Sequence, residues 1–224
     1  MVKRNSTEMK RARCKKKFVR FFPKGYHDPK YVDWERDYKW QAHLRWQEEL
    51  NQSEFRRLLD ARAFAEIAMR AVKIESATNL LFSFEKMALR DAVKPKLAAE
   101  AFSVGLFDYC YGNDALKDRF ERFTELIAGL PRKQTRVLTW PLQTVFGFIA
   151  RPKDHIFLKP RVTQVAASAY DFDFEYESRP NWRTYSSLLA FAEQVRKDTT
   201  DLRPRDMIDL QSFIWVQGSD EYEE

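Results

Sequence analysis

The sequence predicts a mainly α-helical fold: a compact multi-helix domain with one short extended segment and a basic N-terminal arm. Three observations predict it. Apolar side chains recur at three- and four-residue intervals through most of the chain, and helix-ending Gly and Pro residues separate these stretches. The most regular two-residue alternation covers only 170–177. A hydrophobic content of 44% together with 32% charged residues is typical of a globular chain with a polar surface.

The longest helical pattern is the stretch 61–93. It contains no Gly or Pro, and apolar residues such as Phe64, Ala68 and Ala71 recur on one face. At 1.5 Å per residue the stretch would reach roughly 50 Å, more than a small domain needs. We therefore expect one long bent helix or two stacked helices with a break near 76–79. Its charged and polar residues are either paired structural groups or an active site, and they are Glu75, Asn79, Glu85, Lys86, Arg90 and Asp91.

The segment 30–50 precedes this pattern and is also predicted to be helical. Three tryptophans, Trp34, Trp40 and Trp46, fall six residues apart and so do not share one face. They are interleaved with the cations Arg36, Lys39 and Arg45. Such a pattern is either the half-buried rim of a packed helix or a stacking platform for nucleic-acid bases. We favour packing.

The remaining helices are placed by their end signals. Pro95 ends the long pattern, because the residue before proline leaves the helical region. Gly112 closes one later helix, and Asn181 caps another. The predicted helices are 98–111, 113–130, 139–149, 160–170 and 182–197, and 207–216 is either a helix or a strand.

The positive charge lies at the start of the chain. Of 39 basic and 33 acidic residues, residues 1–24 hold ten and one, which leaves 29 against 32 for the other 200 residues. The sequence therefore predicts three segments: a flexible basic arm at 1–24, a single helical domain at 25–217 with a weak sub-boundary near 131–136, and an acidic tail at 218–224. Such an arm would bind a polyanion with a steep salt dependence. The predicted nucleic-acid-binding residues are Arg4, Lys10, Arg11, Arg13, Lys15, Lys16, Lys17 and Arg20.

The alternating segment 170–177 places four aromatics on one face and four acids on the other, as a strand or an extended edge does. The acids are open to three partners: a metal, the basic arm or water. In the metal alternative, Asp171, Asp173 and Glu175 hold Mg²⁺ in a nuclease. The D...ExK pattern of many nucleases is missing, because no Lys follows Glu175 or Glu177 at the required step.

Other chemistry is largely excluded by residue content. The closest two of the six glycines are seven residues apart, so no Gly-rich phosphate loop or nucleophile elbow is present. Three scattered histidines make no local zinc motif. Cys14 and Cys110 are each a conceivable nucleophile with His155, but we expect Cys14 on a mobile arm and Cys110 in the core. We predict no catalytic residue, no metal and no cofactor.

Residues 139–216 carry the motifs TWP, HIFLKP, RPNW..Y..LLAFA and PRDMIDLQSFIWV. In these motifs the segment resembles bacterial conserved proteins of unknown function. The resemblance covers the last third of the chain and implies a bacterial source but no activity.

We predict a non-enzymatic accessory or adaptor protein that contacts DNA or RNA through the arm and a protein partner through its aromatic-rich body. The alternatives are the nuclease and a protein-interaction module whose arm binds acidic surfaces, such as 171–177 and 220–224. No run of apolar residues is long enough to span a membrane, the start lacks the apolar core of a signal peptide, and two cysteines suggest a reducing compartment. We expect a cytoplasmic protein.

Overall fold

The structure is a computed structural model that describes residues 2–133 and 136–223, with side chains from residue 6 onward. In these residues it has eleven helices and no strand. The second helix, α2, begins as Pro29–Tyr31, passes through a π-helical turn at Val32–Arg36 and continues as Asp37–Glu49. The other helices are α1 Val2–Phe21, α3 Gln52–Asp60, α4 Phe64–Ser76, α5 Ser83–Ala92, α6 Lys96–Tyr111, α7 Leu116–Gly129, α8 Trp140–Ala150, α9 Pro160–Tyr170, α10 Trp182–Asp198 and α11 Met207–Gly218.

The mainly α fold is confirmed, and so are most of the expected breaks. The long pattern at 61–93 is two helices, α4 and α5, separated by 77–82. Asn181 caps α10, because its side chain accepts a hydrogen bond from the amide of Thr184. The ambiguous segment 207–216 is helical and is capped by Asp206, whose carboxylate accepts from the amides of Ile208 and Asp209.

Two helices form the centre of the molecule. Every residue of α8 is buried, and α11 buries all of its residues except Trp215. Helices α2, α4, α6 and α7 pack around α8, while α1, α2, α9 and α10 pack around α11. Buried side chains from both groups belong to one hydrophobic cluster. The sub-boundary predicted at 131–136 includes residues 134 and 135, which lie outside the described residues.

The expected mobile arm is instead a helix packed on the body. Cys14, Phe18 and Phe22 of the N-terminal segment are buried at four-residue intervals. The ring of Phe18 lies 5.2 Å from that of Phe213 in α11 and 4.9 Å from that of Tyr26. This apolar stripe is narrow, but it is enough to seat α1 against α11 because long cationic side chains flank it and find partners on the body.

The segment 172–177 is not a strand. Two of its backbone amides donate to side-chain hydroxyl groups of α10 and not to a neighbouring strand. Glu175 N donates to Ser187 Oγ at 3.1 Å, and Glu177 N donates to Thr184 Oγ1 at 2.9 Å. The two-residue alternation is nevertheless expressed in burial. Phe172, Phe174 and Tyr176 are half-buried, and the acids between them are exposed.

The acidic tail is also more ordered than expected. Asp220–Tyr222 forms a 3₁₀ turn, and Tyr222 is buried. Its hydroxyl donates a 2.6 Å hydrogen bond to Glu35 Oε1 of α2. The ring of Phe21, at the end of α1, lies 5.0 Å from that of Tyr222. The described part of the tail is therefore held on the body by Tyr222, and Glu221 Oε2 also accepts a 3.4 Å hydrogen bond from Trp215 Nε1.

A buried ion-pair network joins the π-helical turn of α2 to the start of α11. Arg36 donates from Nη2 to Asp206 Oδ2 at 2.7 Å and from Nη1 to Asp209 Oδ1 at 2.8 Å. Tyr31 and Arg205 also donate to Asp209. Burial alone would raise the pKa of Asp209, but the hydrogen bond from Arg205 and the charge of Arg36 lower it below its ordinary value. Asp209 is thus held in its charged form.

Replacing Arg36 with Ala should destabilise the protein by about 3 kcal/mol or more, because two buried carboxylates lose a partner. The matched control is Arg57→Ala, since Arg57 also forms a bidentate pair with a carboxylate, Glu54, but its side chain is 63% exposed. That change should cost below about 1 kcal/mol. Urea unfolding of both variants measures the difference, and equal losses would contradict a structural role for the buried network.

Candidate nucleic-acid interface

Four cations of α1 lie on its outer side. Arg13, Lys16, Lys17 and Arg20 follow one another at intervals of three, one and three residues, which places them on one side of the helix. Arg13, Lys16 and Arg20 are exposed, and Lys17 is half-buried. We call these four residues the basic face. Because α1 is anchored by its buried stripe, the four charges have a fixed position relative to the body.

Three other predicted cations dock α1 on the body. Lys10 Nζ lies 2.6 Å from Asp171 Oδ1, and Lys15 Nζ lies 2.6 Å from Asp201 Oδ1. Hydrogen bonds from these lysines lower the pKa values of both aspartates below their ordinary value. Arg11 Nη1 lies 3.4 Å from Asp198 Oδ2. The predicted set of eight therefore divides into docking residues and the basic face, while the side chain of Arg4 lies outside the described residues.

A groove of about 420 Å³ runs beside the basic face. Lys10, Arg13 and Lys17 line one side, and Gln217 of α11 lines another. The side-chain Nε2 of Gln217 is buried and has no hydrogen-bond partner. Lys10 is paired with Asp171, so two cations of the basic face, Arg13 and Lys17, and the amide of Gln217 make this groove suitable for a phosphate group, which accepts hydrogen bonds through several oxygens.

Cys14 also lines the groove, and its side chain is buried. Burial raises its pKa to about 11, against the lowering effects of Lys17 and Arg13. Cys110 is buried in the core, where burial also raises its pKa. Burial lowers the pKa of His155 to about 3, so its imidazole is neutral. The structure brings neither cysteine into a catalytic pair with this histidine.

The three carboxylates of the nuclease alternative do not form one site. Asp171 pairs with Lys10 of α1, whereas Glu175 accepts a 2.5 Å hydrogen bond from Arg183 Nε. Asp173 is exposed between them. Across residues 2–133 and 136–223, no three His, Cys, Asp or Glu side chains are grouped so that they could hold a metal ion.

The cations of α2 are used for packing. Arg36 and Lys39 are buried, and Arg45 pairs with Glu49 at 2.6 Å. Trp46 is fully buried, but Trp34 is 53% exposed, with Lys30 Nζ 4.2 Å from its ring centroid. The packing interpretation of this helix is therefore correct for its charged residues, and Trp34 is the exception.

The acids and bases of the 61–93 stretch are only partly paired. Glu85 accepts a 2.6 Å hydrogen bond from Thr139 and caps the start of α5. Glu75 is fully buried, neither of its carboxylate oxygens has a hydrogen-bond partner, and Lys86 Nζ is 3.9 Å from Oε1. Burial raises the pKa of Glu75 to about 7, against the lowering effect of the Lys86 charge. Its complete burial favours a structural role for Glu75.

No family model, curated protein or solved structure matches the chain. The resemblance of residues 139–216 to bacterial conserved proteins therefore stays a prediction. In the described part of the chain, no helix has the length and apolar character needed to cross a bilayer.

Glu75→Gln should remove a pH-dependent loss of stability. Below about pH 4.5 the carboxyl group is protonated in both folded and unfolded states, and as pH rises through 7 the folded state must ionise a buried group. The wild type should therefore lose roughly 2–3 kcal/mol of stability between pH 5 and pH 8.5 relative to Glu75→Gln.

Urea unfolding at these two pH values measures the loss of stability. Glu125→Gln, at an exposed position of α7, is the control and should keep the wild-type pH slope. The same slope in all three proteins would contradict the prediction.

Proposed function

We propose that the chain is a non-enzymatic accessory or adaptor protein of the cytoplasm that binds DNA or RNA through the basic face of α1 and meets a protein partner through its aromatic-rich body. The observation that carries this proposal is the position of Arg13, Lys16, Lys17 and Arg20 on the outer side of an anchored helix. The rest of the chain after residue 24 is slightly acidic, with 29 basic against 32 acidic residues.

The expected binding is electrostatic and largely independent of base sequence. Each lysine or arginine that neutralises a phosphate releases a condensed counterion, so affinity falls steeply with salt. The groove beside Arg13 and Lys17 adds the amide of Gln217 as a directional donor to a phosphate oxygen. A fixed helix presents these groups without an ordering cost at the moment of binding.

Replacing Arg13, Lys16, Lys17 and Arg20 together with Gln should lower the affinity for a labelled DNA or RNA oligonucleotide by roughly tenfold or more. The slope of log affinity against log salt should become shallower by up to about 3–4, because four phosphate contacts are lost. Fluorescence anisotropy over a salt series measures both quantities. The test substitutes these side chains and does not delete the segment, because a deletion would also remove Cys14 and Phe18, which belong to the core.

The control variant neutralises four exposed cations on other helices and loops: Arg90, Lys96, Lys117 and Arg132. It changes the net charge by the same amount, so it separates the basic face from total charge. It should bind nearly as the wild type does. Equal losses in the two variants, or an unchanged salt slope in the first, would contradict the proposal.

A second candidate function is supported by the way α1 docks on its own chain. Lys10 and Lys15 contact Asp171 and Asp201, so the same helix already binds carboxylates. The basic face would then bind an acidic protein surface. A competition experiment distinguishes the two functions: poly-glutamate and an unlabelled single-stranded oligonucleotide of equal charge each compete with the labelled oligonucleotide for the protein. If the basic face recognises phosphate groups, the oligonucleotide is the stronger competitor.

The protein partner is supported by exposed apolar residues. Leu97 and Val104 lie seven residues apart on α6, and they are 81% and 52% exposed. Replacing both residues with Asp should abolish binding of the protein partner to the immobilised chain. The affinity of the chain for the oligonucleotide should not change.

A further inference from the structure

A second cavity, of about 330 Å³, opens on another side of α11. Two of its aromatic residues, Trp34 and Phe82, are each 53% exposed, so solvent reaches its mouth. A volume above 300 Å³ is within the range of small-molecule pockets. The aromatic residues that line the cavity are Trp34, Tyr38, Phe82, Phe157 and Trp215.

Among the buried polar groups that line this aromatic pocket, one acceptor has no hydrogen-bond partner, whereas Asn79 and Glu221 of the lining are exposed. Gln211 lines the pocket and is 5% exposed, and its Oε1 has no hydrogen-bond partner. Glu35 is already satisfied, because it accepts hydrogen bonds from Lys39 at 3.2 Å and from Tyr222 at 2.6 Å. The missing partner of the pocket is therefore an N–H donor for Gln211.

The charges around the pocket balance, which favours a neutral ligand. Its lining carries one cation, Lys159, and two acids, Glu35 and Glu221, and Glu35 is paired with Lys39. Lys159 Nζ lies 3.6 Å from the centroid of Phe82 and donates to the carbonyl of Leu80 at 3.0 Å. A neutral flat ring with an N–H group at its edge would stack on the aromatic walls and donate to Gln211.

A nucleobase has this combination of properties. Every base has a π face that stacks on aromatic side chains, and single-strand binding proteins use such stacking next to cationic grooves. A glutamine amide pairs with the edge of adenine through two hydrogen bonds, accepting from the exocyclic amine and donating to a ring nitrogen. The unpaired amide oxygen of Gln211 fits the first of these bonds.

Rings and cations connect the pocket to the end of α1. The ring of Phe21 contacts that of Tyr222 at 5.0 Å, and Lys30 Nζ lies 5.9 Å from the centroid of Phe21 and 4.2 Å from that of Trp34. Arg20, a member of the basic face, lies over Phe21 at 5.1 Å. A nucleic-acid strand whose phosphates follow α1 would pass along this line to the mouth of the pocket.

We infer that the aromatic pocket receives one unpaired nucleobase of a single-stranded nucleic acid, with its N–H edge at Gln211 and its ring against the aromatic walls. The inference rests on the proposed nucleic-acid binding and adds to it a preference for single strands. In a duplex the bases are stacked and paired, so the pocket can take a base only after unstacking.

The test compares a twelve-residue oligo-dA single strand with the duplex it forms with oligo-dT, by anisotropy at one salt concentration. Trp34→Ala should weaken single-strand binding by roughly 5- to 100-fold and leave duplex binding unchanged, because Trp34 lines the pocket and is 53% exposed, so stacking of one base is lost. The matched control is Phe84→Ala. Phe84 is 51% exposed and stacks on Phe82 at 5.6 Å, but it does not line the pocket.

Gln211→Met tests the base edge separately, since it keeps the side-chain volume and removes the amide. Because the Gln211 amide pairs with the edge of adenine, the wild type should bind a single strand of oligo-dA more tightly than one of oligo-dT. In Gln211→Met this difference in affinity should be smaller. Circular dichroism checks that all variants fold.

The outcomes separate this inference from the proposed function. If Trp34→Ala binds the single strand as the wild type does while the basic-face variant loses binding, the pocket inference fails and the proposed function stands. If the wild type binds neither single strand nor duplex, both fail. Binding of each small compound in the pocket is followed by the change in tryptophan fluorescence. If N-acetylarginine amide binds and adenosine does not, the pocket belongs to a protein partner and the inference is overturned.

Discussion

The guanidinium of Arg36 is the group on which the arrangement of the central helices depends. It lies in the π-helical turn of α2 and contacts two carboxylates at the start of α11, Asp206 and Asp209. A π-turn adds one residue to a helical turn and is frequent at functional positions. Here it directs Glu35 and Arg36 toward α11, so that Glu35 meets Lys39 and Tyr222. The wall of the aromatic pocket is set by the same contacts.

The basic helix has a different relation to the body than a disordered tail would have. Its inner cations, Lys10, Arg11 and Lys15, form ion pairs with three aspartates of the body, and the four cations of the basic face lie at fixed spacing along the helix. A ligand therefore meets an arranged row of charges rather than a chain that must become ordered. The pairs are largely exposed, so the buried aromatic contacts of Phe18 contribute more to the docking of α1 than the ion pairs do.

The sequence predicted the helices that carry clear local signals and missed the features that depend on distant partners. Periodicity and end residues located α4, α5 and α10, including the break after Ser76, but they left α11 open between helix and strand. The docking of α1 was missed because its apolar stripe is short and some of its partners, such as Phe213 and Asp201, lie more than 180 residues away. The aromatic pocket was missed for the same reason, since its walls come from four separate segments.

The long sequence separation of the α1 contacts also bears on how the chain reaches its native state. Until the segment that contains Asp198, Asp201 and Phe213 has been synthesised, α1 lacks its seat on α11 and the carboxylates that pair with Arg11 and Lys15. Contacts between residues so far apart in sequence form slowly compared with local ones. The N-terminal helix, although it is made first, is therefore among the last elements to reach its native position.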